Sequence, residues 1–285
     1  MNKSRIKRYI RKGVIMPELP EVYNISKQMN NELAGKKIIQ IEVLQEKCLN
    51  MTVDNFRALI ADKPIEKVYS KGKWIFIKFA DGAAYMLISL GMGGEIIYHS
   101  KEERYNSKYQ FKFTFDDKSF MHILFYWFGY VHATNETHLK EHKMTAELGI
   151  CPLSSEFTYE KFKSMLIGKK GRIKSYLMNQ HNISGIGNVY IQDILFKAGI
   201  HPNRKIKDIT ETELAGLYKA ITGHLQYAVE LGGLVYEHDF YGQKGRYTYD
   251  LIGHRPGSPC PICGTIIKEI KCGSTRSFIC EKCQQ

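Results

Sequence analysis

Two Cys-x-x-Cys pairs near the end of the chain restrict the local fold more than any other feature of the sequence. Cys260 and Cys263 form one pair, and Cys280 and Cys283 form the other after sixteen intervening residues. Two such knuckles joined by a short hairpin are typical of a zinc ribbon, in which four thiolates complete a tetrahedral structural site. A redox or disulfide role is the weaker alternative, and Cys272 does not match the spacing. The pattern therefore predicts one structural Zn²⁺ bound by these four cysteines.

The other cysteines and the hydropathy pattern indicate a chain of the reducing cytoplasm. Seven cysteines are present, and Cys48, Cys151 and Cys272 are scattered rather than paired. Neither a secretory apolar segment nor an apolar run of about eighteen residues is visible, so we expect no disulfide framework and no membrane span. With 285 residues and 44% hydrophobic content, the chain can bury one large core or two smaller ones.

The charge of the chain favours a polyanionic partner. A net charge of +12 and a pI near 9.2 make nucleic acid the first candidate, with an uncommitted basic surface as the alternative. Half of this charge lies in residues 1–15, which contain six basic residues and no acid. The rest of the chain is only moderately basic, so we expect a groove of clustered charge rather than a uniformly positive surface.

Residues 1–15 have three interpretations: upstream codons wrongly included in the gene, a basic DNA-binding arm, or a transit peptide. We favour a translation start at Met16, which predicts that this basic extension is absent from the mature protein. Removal of Met16 would then make Pro17 the N-terminal residue. A terminal proline is a secondary amine that can form a charged imine with an aldehyde carbon, whereas a proline inside a chain has no usable lone pair.

After Pro17 the sequence predicts one helix and then many short strands. Apolar residues recur at spacings of three and four from Val22 to Leu33, and Gly35 marks the end of this helix. Residues 36–133 are β-rich, with a short helix near Asn55–Ala61, and such regular short strands predict a sandwich or barrel. The predicted strands are Lys37–Leu44, Ile65–Tyr69, Trp74–Phe79, Tyr85–Leu90, Glu95–His99, Tyr109–Phe115 and Ser119–Phe125.

Residues 137–235 lack strand alternation and are predicted to be helical. The predicted helices are Tyr159–Leu166, Ile173–Met178, Asn188–Ala198 and Thr212–Gly232. The glycine-bearing connection Gln180–Asn188 can either aim backbone N–H groups at a phosphate or form a plain helical hairpin, and the motif alone favours neither. Residues 236–259 are polar and rich in glycine and aromatic residues, which predicts a mobile loop or linker.

Six stretches in this order resemble the formamidopyrimidine-DNA glycosylase and endonuclease VIII family, nearer to the formamidopyrimidine branch. They are Pro17–Val22, Leu90–Gly94, Leu148–Leu153, Gly185–Tyr190, Ala198–Pro202 and the four-cysteine tail. Each stretch alone is weak evidence for the family, but together the six stretches extend over nearly the whole chain from Met16. The resemblance implies an α+β multidomain fold with an N-terminal β-sandwich that opens with a helix, a helix–two-turn–helix domain and a C-terminal zinc ribbon.

We place the catalytic β-sandwich domain at residues 16–135, the helical domain at residues 136–240, and the linker loop with the zinc finger at residues 241–285. The resemblance implies a cytoplasmic monomer that binds double-stranded DNA containing damaged bases or abasic sites. It also implies a base-excision-repair DNA glycosylase with abasic-site lyase activity. Such an enzyme removes oxidised bases through an imine on its N-terminal proline, which requires that Pro17 is the free N-terminus.

Four catalytic positions carry over from the family. Pro17 matches the nucleophile, and Glu18 matches the catalytic acid, although by itself Glu18 is only an acid in the first turn of a helix. Lys73 matches a lysine that contacts phosphate and assists proton transfer, and its alternative is a solvated charge at a strand end. The phosphate-binding arginine of the zinc hairpin falls at Thr275 here, and Arg276 is the candidate through a register shift.

Five DNA-binding positions are predicted, of which Met92, Phe128 and Asn188 match the family, and Tyr126 and Lys108 depart from its pattern. Met92 matches the methionine that fills the gap left by an extracted base, and an ordinary core position is its alternative. Phe128 keeps the second wedge position, next to Tyr126. Asn188 matches a phosphate-binding asparagine and can also cap a helix. Lys108 stands where histidines are common in the family.

The wedge loop departs from the family pattern. The chain has Leu124-Phe125-Tyr126-Trp127-Phe128-Gly129 where the branch usually shows Asp-Pro-Arg-Arg-Phe-Gly. Tyr126 or Trp127 replaces the arginine that would read the orphaned cytosine, and neither ring offers the same fork of donors. This favours oxidised pyrimidines or abasic sites as substrates. The rival functions are a catalytically inactive damaged-DNA-binding protein of the same fold and a generic zinc-ribbon protein that binds nucleic acid.

Overall fold

The computed structural model describes residues 16–80, 84–100, 108–248 and 251–285, so the basic extension at residues 1–15 lies outside the described residues. The chain divides into two compact units. The first unit extends to Glu147 and also includes Gly232–Arg246, and the second contains Leu148–Leu231 and Tyr247–Gln285.

The first unit opens with helix α1, which spans Leu19–Leu33. Pro20 lies in its first turn, where a proline loses no helical hydrogen bond, and the Glu21 carboxylate accepts from the backbone N–H of Glu18. The apolar residues of the three-and-four repeat, from Val22 to Leu33, are buried. The helix ends before Gly35, whose φ of 87° suits glycine and reverses the chain into the first strand. A second helix, α2, covers Val53–Ile60.

Eight strands of the first unit form two four-stranded antiparallel sheets, in the orders β1-β6-β7-β5 and β2-β3-β4-β8. The strands are β1 Ile38–Val43, β2 Ile65–Lys71, β3 Trp74–Phe79, β4 Tyr85–Ser89, β5 Glu95–His99, β6 Phe111–Phe115, β7 Phe120–Leu124 and β8 Tyr130–Thr134. Apolar residues from both sheets and from α1 share one buried core. The prediction of a β-sandwich that opens with a helix is therefore confirmed. It missed β8, in which Val131 and Ala133 alternate with half-buried polar and aromatic residues.

The second unit is helical and carries a small β-hairpin. Its helices are α3 Tyr159–Leu166, α4 Ile173–Met178, α5 Tyr190–Lys197 and α6 Glu211–Glu230. Thr210 and Glu213 start α6 with a reciprocal capping box. The hairpin pairs β9, Lys268–Cys272, with β10, Thr275–Ile279. Within the described residues, none of the helices has the length and apolar character that crossing a membrane requires.

The segment Gly232–Arg246 differs from the mobile loop predicted for residues 236–259. Phe240 is fully buried in the core of the first unit, and its carbonyl accepts from the N–H of Tyr98 at 2.8 Å. The Gln28 side chain donates to Asp239 at 2.8 Å and accepts from the N–H of Phe240 at 2.9 Å. The domain limit predicted at residue 240 thus falls inside a segment that packs with the first unit, because a buried phenylalanine anchors it there.

Candidate functional site

The start of α1 places three of the predicted catalytic residues together. Pro17 is buried, Glu18 is only 3% exposed, and the Lys73 ammonium lies 3.8 Å from Glu18 Oε1. Lys73 reaches this position from the turn between β2 and β3. In the full chain the Pro17 nitrogen belongs to the peptide bond with Met16, so it can act as an amine only after the preceding residues are removed.

Glu21 holds this end of the chain in place. One carboxylate oxygen accepts from the N–H of Glu18 at 2.9 Å, and the other accepts from the N–H of Leu234 at 2.9 Å. A Cβ on Gly233 would lie 2.7 Å from the same carboxylate, and the φ of Gly233 is 85°. Only glycine fits there. Glu21 therefore ties the residue next to Pro17 to the segment that follows α6.

Two loops of the first unit form an aromatic tip. Met92 donates its N–H to the carbonyl of Trp127 at 2.7 Å and accepts from the N–H of Tyr126 at 3.0 Å. Phe128, with a φ of 57°, is 67% exposed, and Tyr126 is 51% exposed. We call Met92 and Tyr126–Phe128 the aromatic tip. The structure thus brings together Met92 and Phe128, the residues predicted to form the wedge, and it exposes the rings of Tyr126 and Phe128.

Gly91 explains how the two loops of the aromatic tip approach so closely. Its φ is 58°, and a Cβ there would collide with the backbone of Trp127 and Phe128. Gln110 fixes the other side of the tip, since its side chain donates to the carbonyl of Phe125 at 2.7 Å and accepts from its N–H at 2.9 Å. Lys108 is exposed two residues before Gln110.

Asn188 lies in the second unit, in a cluster centred on Lys174. The Lys174 side chain is 1% exposed, and its ammonium donates to Asn188 Oδ1 at 2.8 Å. It also donates to Thr275 Oγ1 at 3.0 Å, to the carbonyl of Arg276 at 2.8 Å and to Ser277 Oγ at 2.7 Å. We call these five residues, with Gln192, the Asn188 cluster. The cluster joins α4 and the turn before α5 to strand β10.

The cluster fixes which way the Asn188 amide points. An ammonium can only donate, so the oxygen of the amide must face Lys174. The same oxygen accepts from Gln192 Nε2 at 3.0 Å. Among the described residues no hydrogen bond engages the Asn188 NH₂ group, so its two donors are available to a ligand. A phosphate oxygen is the kind of acceptor that such donors bind.

Arg276 does not join this cluster through its side chain. Successive side chains of a strand point to opposite faces, and Thr275 and Ser277 both face Lys174. The guanidinium of Arg276 is 59% exposed and lies 3.5 Å from Glu269. The geometry therefore differs from the predicted register shift: Thr275, rather than Arg276, occupies the position beside Asn188.

The sequence interpretation missed Lys174 and Gln192. Lys174 reaches across about a hundred residues of chain to Thr275 and Ser277, and Gln192 reaches the N–H of Phe278 at 3.2 Å. No local pattern announces such partners. A lysine at an otherwise apolar position of a short helix, beside the buried Ile173 and before Leu177, was the only available signal.

The four predicted metal ligands converge. The sulfur atoms of Cys260, Cys263, Cys280 and Cys283 all lie within 4.8 Å of one another. The Cys260 and Cys283 sulfurs are 3.8 Å apart, and the Cys263 and Cys280 sulfurs are 3.4 Å apart. Tetrahedral zinc with Zn–S bonds of about 2.3 Å requires sulfur atoms about 3.8 Å apart. The donor set and its spacing therefore fit a metal ion, and the ligand residues also pack with Phe196 and Phe278 in a small apolar core.

Comparison with known proteins finds the same family for both parts of the chain. The model described as "Formamidopyrimidine-DNA glycosylase N-terminal domain" matches residues 16–124, and that of the "Formamidopyrimidine-DNA glycosylase H2TH domain" matches residues 148–238. The chain is similar to the formamidopyrimidine-DNA glycosylase of Pelotomaculum thermopropionicum, with 34% identity over 95% of the chain and 99% of the relative. The corresponding protein of an Enterobacter species is 32% identical over 95% of the chain and 100% of its own length.

Solved structures show the same fold. Lactococcus lactis Fpg in complex with DNA containing an abasic site superposes with a TM-score of 0.85 and 24% identity, covering 94% of this chain and 99% of that one. The same protein in complex with DNA containing Fapy-dG gives a TM-score of 0.85 over 94% of this chain and 100% of that one.

Proposed function

Because the chain belongs to the formamidopyrimidine-DNA glycosylase family, it is a base-excision-repair DNA glycosylase, and we propose that it removes oxidised bases and cleaves the resulting abasic site through an imine on Pro17. The observation that carries the proposal is the grouping of Pro17, Glu18 and Lys73 at a fixed helix start. The partner is double-stranded DNA that contains damaged bases or abasic sites.

The proposed reaction uses few protein groups. The amine of a free Pro17 titrates near neutrality, so an unprotonated fraction exists at pH 7. Its nitrogen bonds to the anomeric carbon, the bond from that carbon to the base breaks, and the base leaves with a proton. Glu18 supplies a proton to the sugar oxygen or the base, and Lys73 balances its charge. The amine then loses its proton and the C1′–O4′ bond breaks, with O4′ taking up a proton, so that the sugar ring opens and an iminium forms. The iminium acidifies the neighbouring C2′–H, whose loss expels the 3′ phosphate, and water finally hydrolyses the imine to free Pro17.

Borohydride trapping of the imine tests this proposal. A form that starts at Met16, and so exposes Pro17 after methionine removal, should become covalently linked to abasic-site DNA. The full chain with Pro17 inside a peptide bond should not. Because Pro17→Gly would keep a terminal amine, the control is the Met16-started form with its N-terminal amine blocked by acetylation; equal trapping by that form would mean that another amine is the nucleophile. If neither form is trapped but both prefer abasic over intact duplex, the protein binds damaged DNA without acting on it.

We further propose that the aromatic tip does not select the base opposite the lesion. Tyr126 and Phe128 offer exposed rings, and stacking on a ring is tolerant of sequence because every base has a π-face. Excision opposite each of the four bases should therefore differ by less than about threefold. Tyr126→Arg introduces a bidentate donor and should create a preference of roughly tenfold or more. Tyr236→Arg, at another exposed tyrosine, is the control and should create none.

We propose zinc as the ion held by Cys260, Cys263, Cys280 and Cys283, since four thiolates at tetrahedral spacing are its usual structural site. The ion would stabilise the hairpin whose strand β10 supplies Thr275 and Ser277 to the Asn188 cluster. Metal analysis should find one zinc per chain. Chelation should unfold the hairpin and weaken DNA binding, whereas unchanged affinity would exclude a role in phosphate binding.

A further inference from the structure

A strongly basic surface of the second unit lies beside the Asn188 cluster and has no role in the proposed chemistry. Residues 161–172 and 204–208 together contain eight basic residues and one acid. Lys163 and Arg204 are neutralised by Glu211 and Glu213. The other basic residues are exposed, and no ion pair with another described residue involves them: Lys161, Lys169, Lys170, Arg172, Lys205 and Lys207. We call these six residues the basic face.

Backbone pairing places the two segments of the basic face side by side. Arg172 and Lys205 are opposite each other in an antiparallel bridge. On either side, Ile173 donates to the carbonyl of Arg204 at 3.0 Å and Ile206 donates to the carbonyl of Gly171 at 2.9 Å. Like charges directly opposite each other repel and destabilise such a pairing. The bridge therefore holds two cations together at a cost that a bound polyanion would offset.

One end of the basic face adjoins the Asn188 cluster along the chain. Arg172 immediately precedes α4, and Lys174 in the first turn of the same helix orients the Asn188 amide. A duplex that engages Asn188 through one phosphate has further phosphates along each strand, and cations that neutralise them release counterions. We propose that the basic face binds the backbone of duplex DNA flanking the lesion, which extends the footprint beyond the site of chemistry. This inference rests on the proposed function for the identity of the polyanion.

Duplex length and salt separate this role from general charge effects. The test measures the Kd of the whole protein for duplexes of about 12 and 30 base pairs with a central abasic-site analogue, at several salt concentrations. The variant is Lys169→Gln/Lys170→Gln/Lys205→Gln. The control, Lys37→Gln/Lys47→Gln/Lys219→Gln, removes three exposed cations outside the basic face and the zinc finger.

The basic-face variant should lose roughly 10- to 100-fold in affinity for the long duplex near 0.1 M salt, with the slope of log K against log salt reduced by about two to three. On the short duplex it should lose less than about threefold, because the flanking phosphates are missing. The control should retain the length dependence.

Equal losses on both lengths, no loss on either, or the same loss in the control would overturn the proposal. Unchanged binding of both duplexes is also the result expected if the basic face serves an acidic protein. Failure of the proposed chemistry gives a different result: no borohydride trapping by any form, with the length dependence intact.

Discussion

The proposed reactive end of the first unit, which we define as Pro17, Glu18, Glu21 and Lys73, and the Asn188 cluster of the second unit bury ionisable groups of opposite type. At the reactive end, Glu18 and Glu21 are buried. Glu237 lies near Glu21, and its pKa is raised by burial and then by the Glu21 and Glu95 carboxylates. In the Asn188 cluster the buried charge is the ammonium of Lys174. A phosphate is attracted by the second environment, whereas in the first only the ammonium of Lys73 would attract it and the carboxylates would repel it. We therefore expect most of the phosphate binding in the second unit and the base chemistry in the first.

The two regions also differ in how firmly their charged groups are held. The ammonium of Lys73 lies 3.8 Å from Glu18, which is too long for a hydrogen bond. Lys174 donates to four acceptors at 2.7–3.0 Å. A loose pair can readjust as a proton moves, whereas a tight cluster fixes the direction of the Asn188 donors. Mutations at the proposed reactive end should therefore change the rate of base release, and mutations in the Asn188 cluster should change the Kd for DNA.

Glu18→Gln should give the largest effect and act on chemistry alone. An amide cannot deliver the proton that the leaving group needs, so single-turnover base release should fall on the order of 10²- to 10⁴-fold. The Kd for abasic-site DNA should stay within about threefold, because Glu18 contributes no phosphate contact in this proposal. Glu46→Gln, at an exposed acid outside the reactive end, is the control. A variant that binds poorly but reacts normally once saturated would contradict the division.

Lys174→Met should show the reverse behaviour. It removes the donor that orients Asn188 and leaves Thr275 and Ser277 without their partner, so Kd should rise roughly 10- to 100-fold. The rate at saturating DNA should stay close to that of the wild type. Lys219→Met, on the exposed side of α6, is the control.

Asn188→Ala keeps the buried ammonium, which retains its three acceptors on β10. It removes the NH₂ donors together with the oxygen that accepts from Lys174 and Gln192. It should raise Kd about as much as Lys174→Met does, and without a comparable loss of thermal stability. If Lys174→Met weakens binding while Asn188→Ala does not, the lysine supports the fold of the hairpin and does not act through Asn188.

The sequence predicted the proposed reactive end of the first unit better than the Asn188 cluster of the second unit. The reactive end is encoded by one contiguous stretch, so Pro17 and Glu18 could be identified as candidates together, and the zinc ligands have a spacing that specifies their geometry. The helix and most strands of the first unit were predictable because their apolar periodicity reflects burial on one face. The partition at residue 240 could not be predicted, because burial of Phe240 depends on a core that the rest of the chain builds.

The Asn188 cluster shows where sequence interpretation fails. Asn188 was identified from its glycine-bearing turn, but its orientation depends on Lys174, whose other partners lie 101 to 103 residues away. The candidate Arg276 is adjacent to the expected position in the sequence, yet a shift of one residue in a strand turns the side chain to the opposite face. Closeness in sequence did not predict closeness to Asn188, because successive side chains of a strand point to opposite faces.

Glu237→Gln tests the negative environment of the reactive end, with a smaller expected effect. Burial, with Glu21 and then Glu95 nearby, raises the pKa of Glu237 from 4.5 to about 8. Because the folded pKa is raised, the stability associated with the protonated form is full below pH 4.5 and is lost as the pH rises through 8. The variant should be more stable than the wild type at pH 9, by on the order of 1–2 kcal/mol, and similar at pH 5.

Thermal unfolding of the Glu237→Gln variant at the two pH values provides the measurement. Glu269→Gln, in the hairpin of the second unit, should show no such pH-dependent gain, because its carboxylate is partly exposed and lies 3.5 Å from Arg276. Equal stability of the Glu237 variant and the wild type at pH 9 would mean that Glu237 ionises without penalty in the folded state. The carboxylates of the proposed reactive end would then create less negative potential than we infer from the raised pKa of Glu237.

Arg276→Ala should have the smallest effect on DNA affinity, and it tests whether phosphate binds on the Lys174 face of β10 or on the opposite face. The guanidinium is exposed, pairs with Glu269 at 3.5 Å and faces away from Lys174, so its removal costs little screened Coulomb energy. We expect Kd to rise less than about threefold, against the much larger rise for Lys174→Met. Thr275→Arg, which places an arginine on the face of Asn188, should tighten binding and steepen its salt dependence by about one unit of slope. A large loss in Arg276→Ala would show that β10 binds phosphate through its outer face, and the Asn188 cluster would then not be the principal phosphate site.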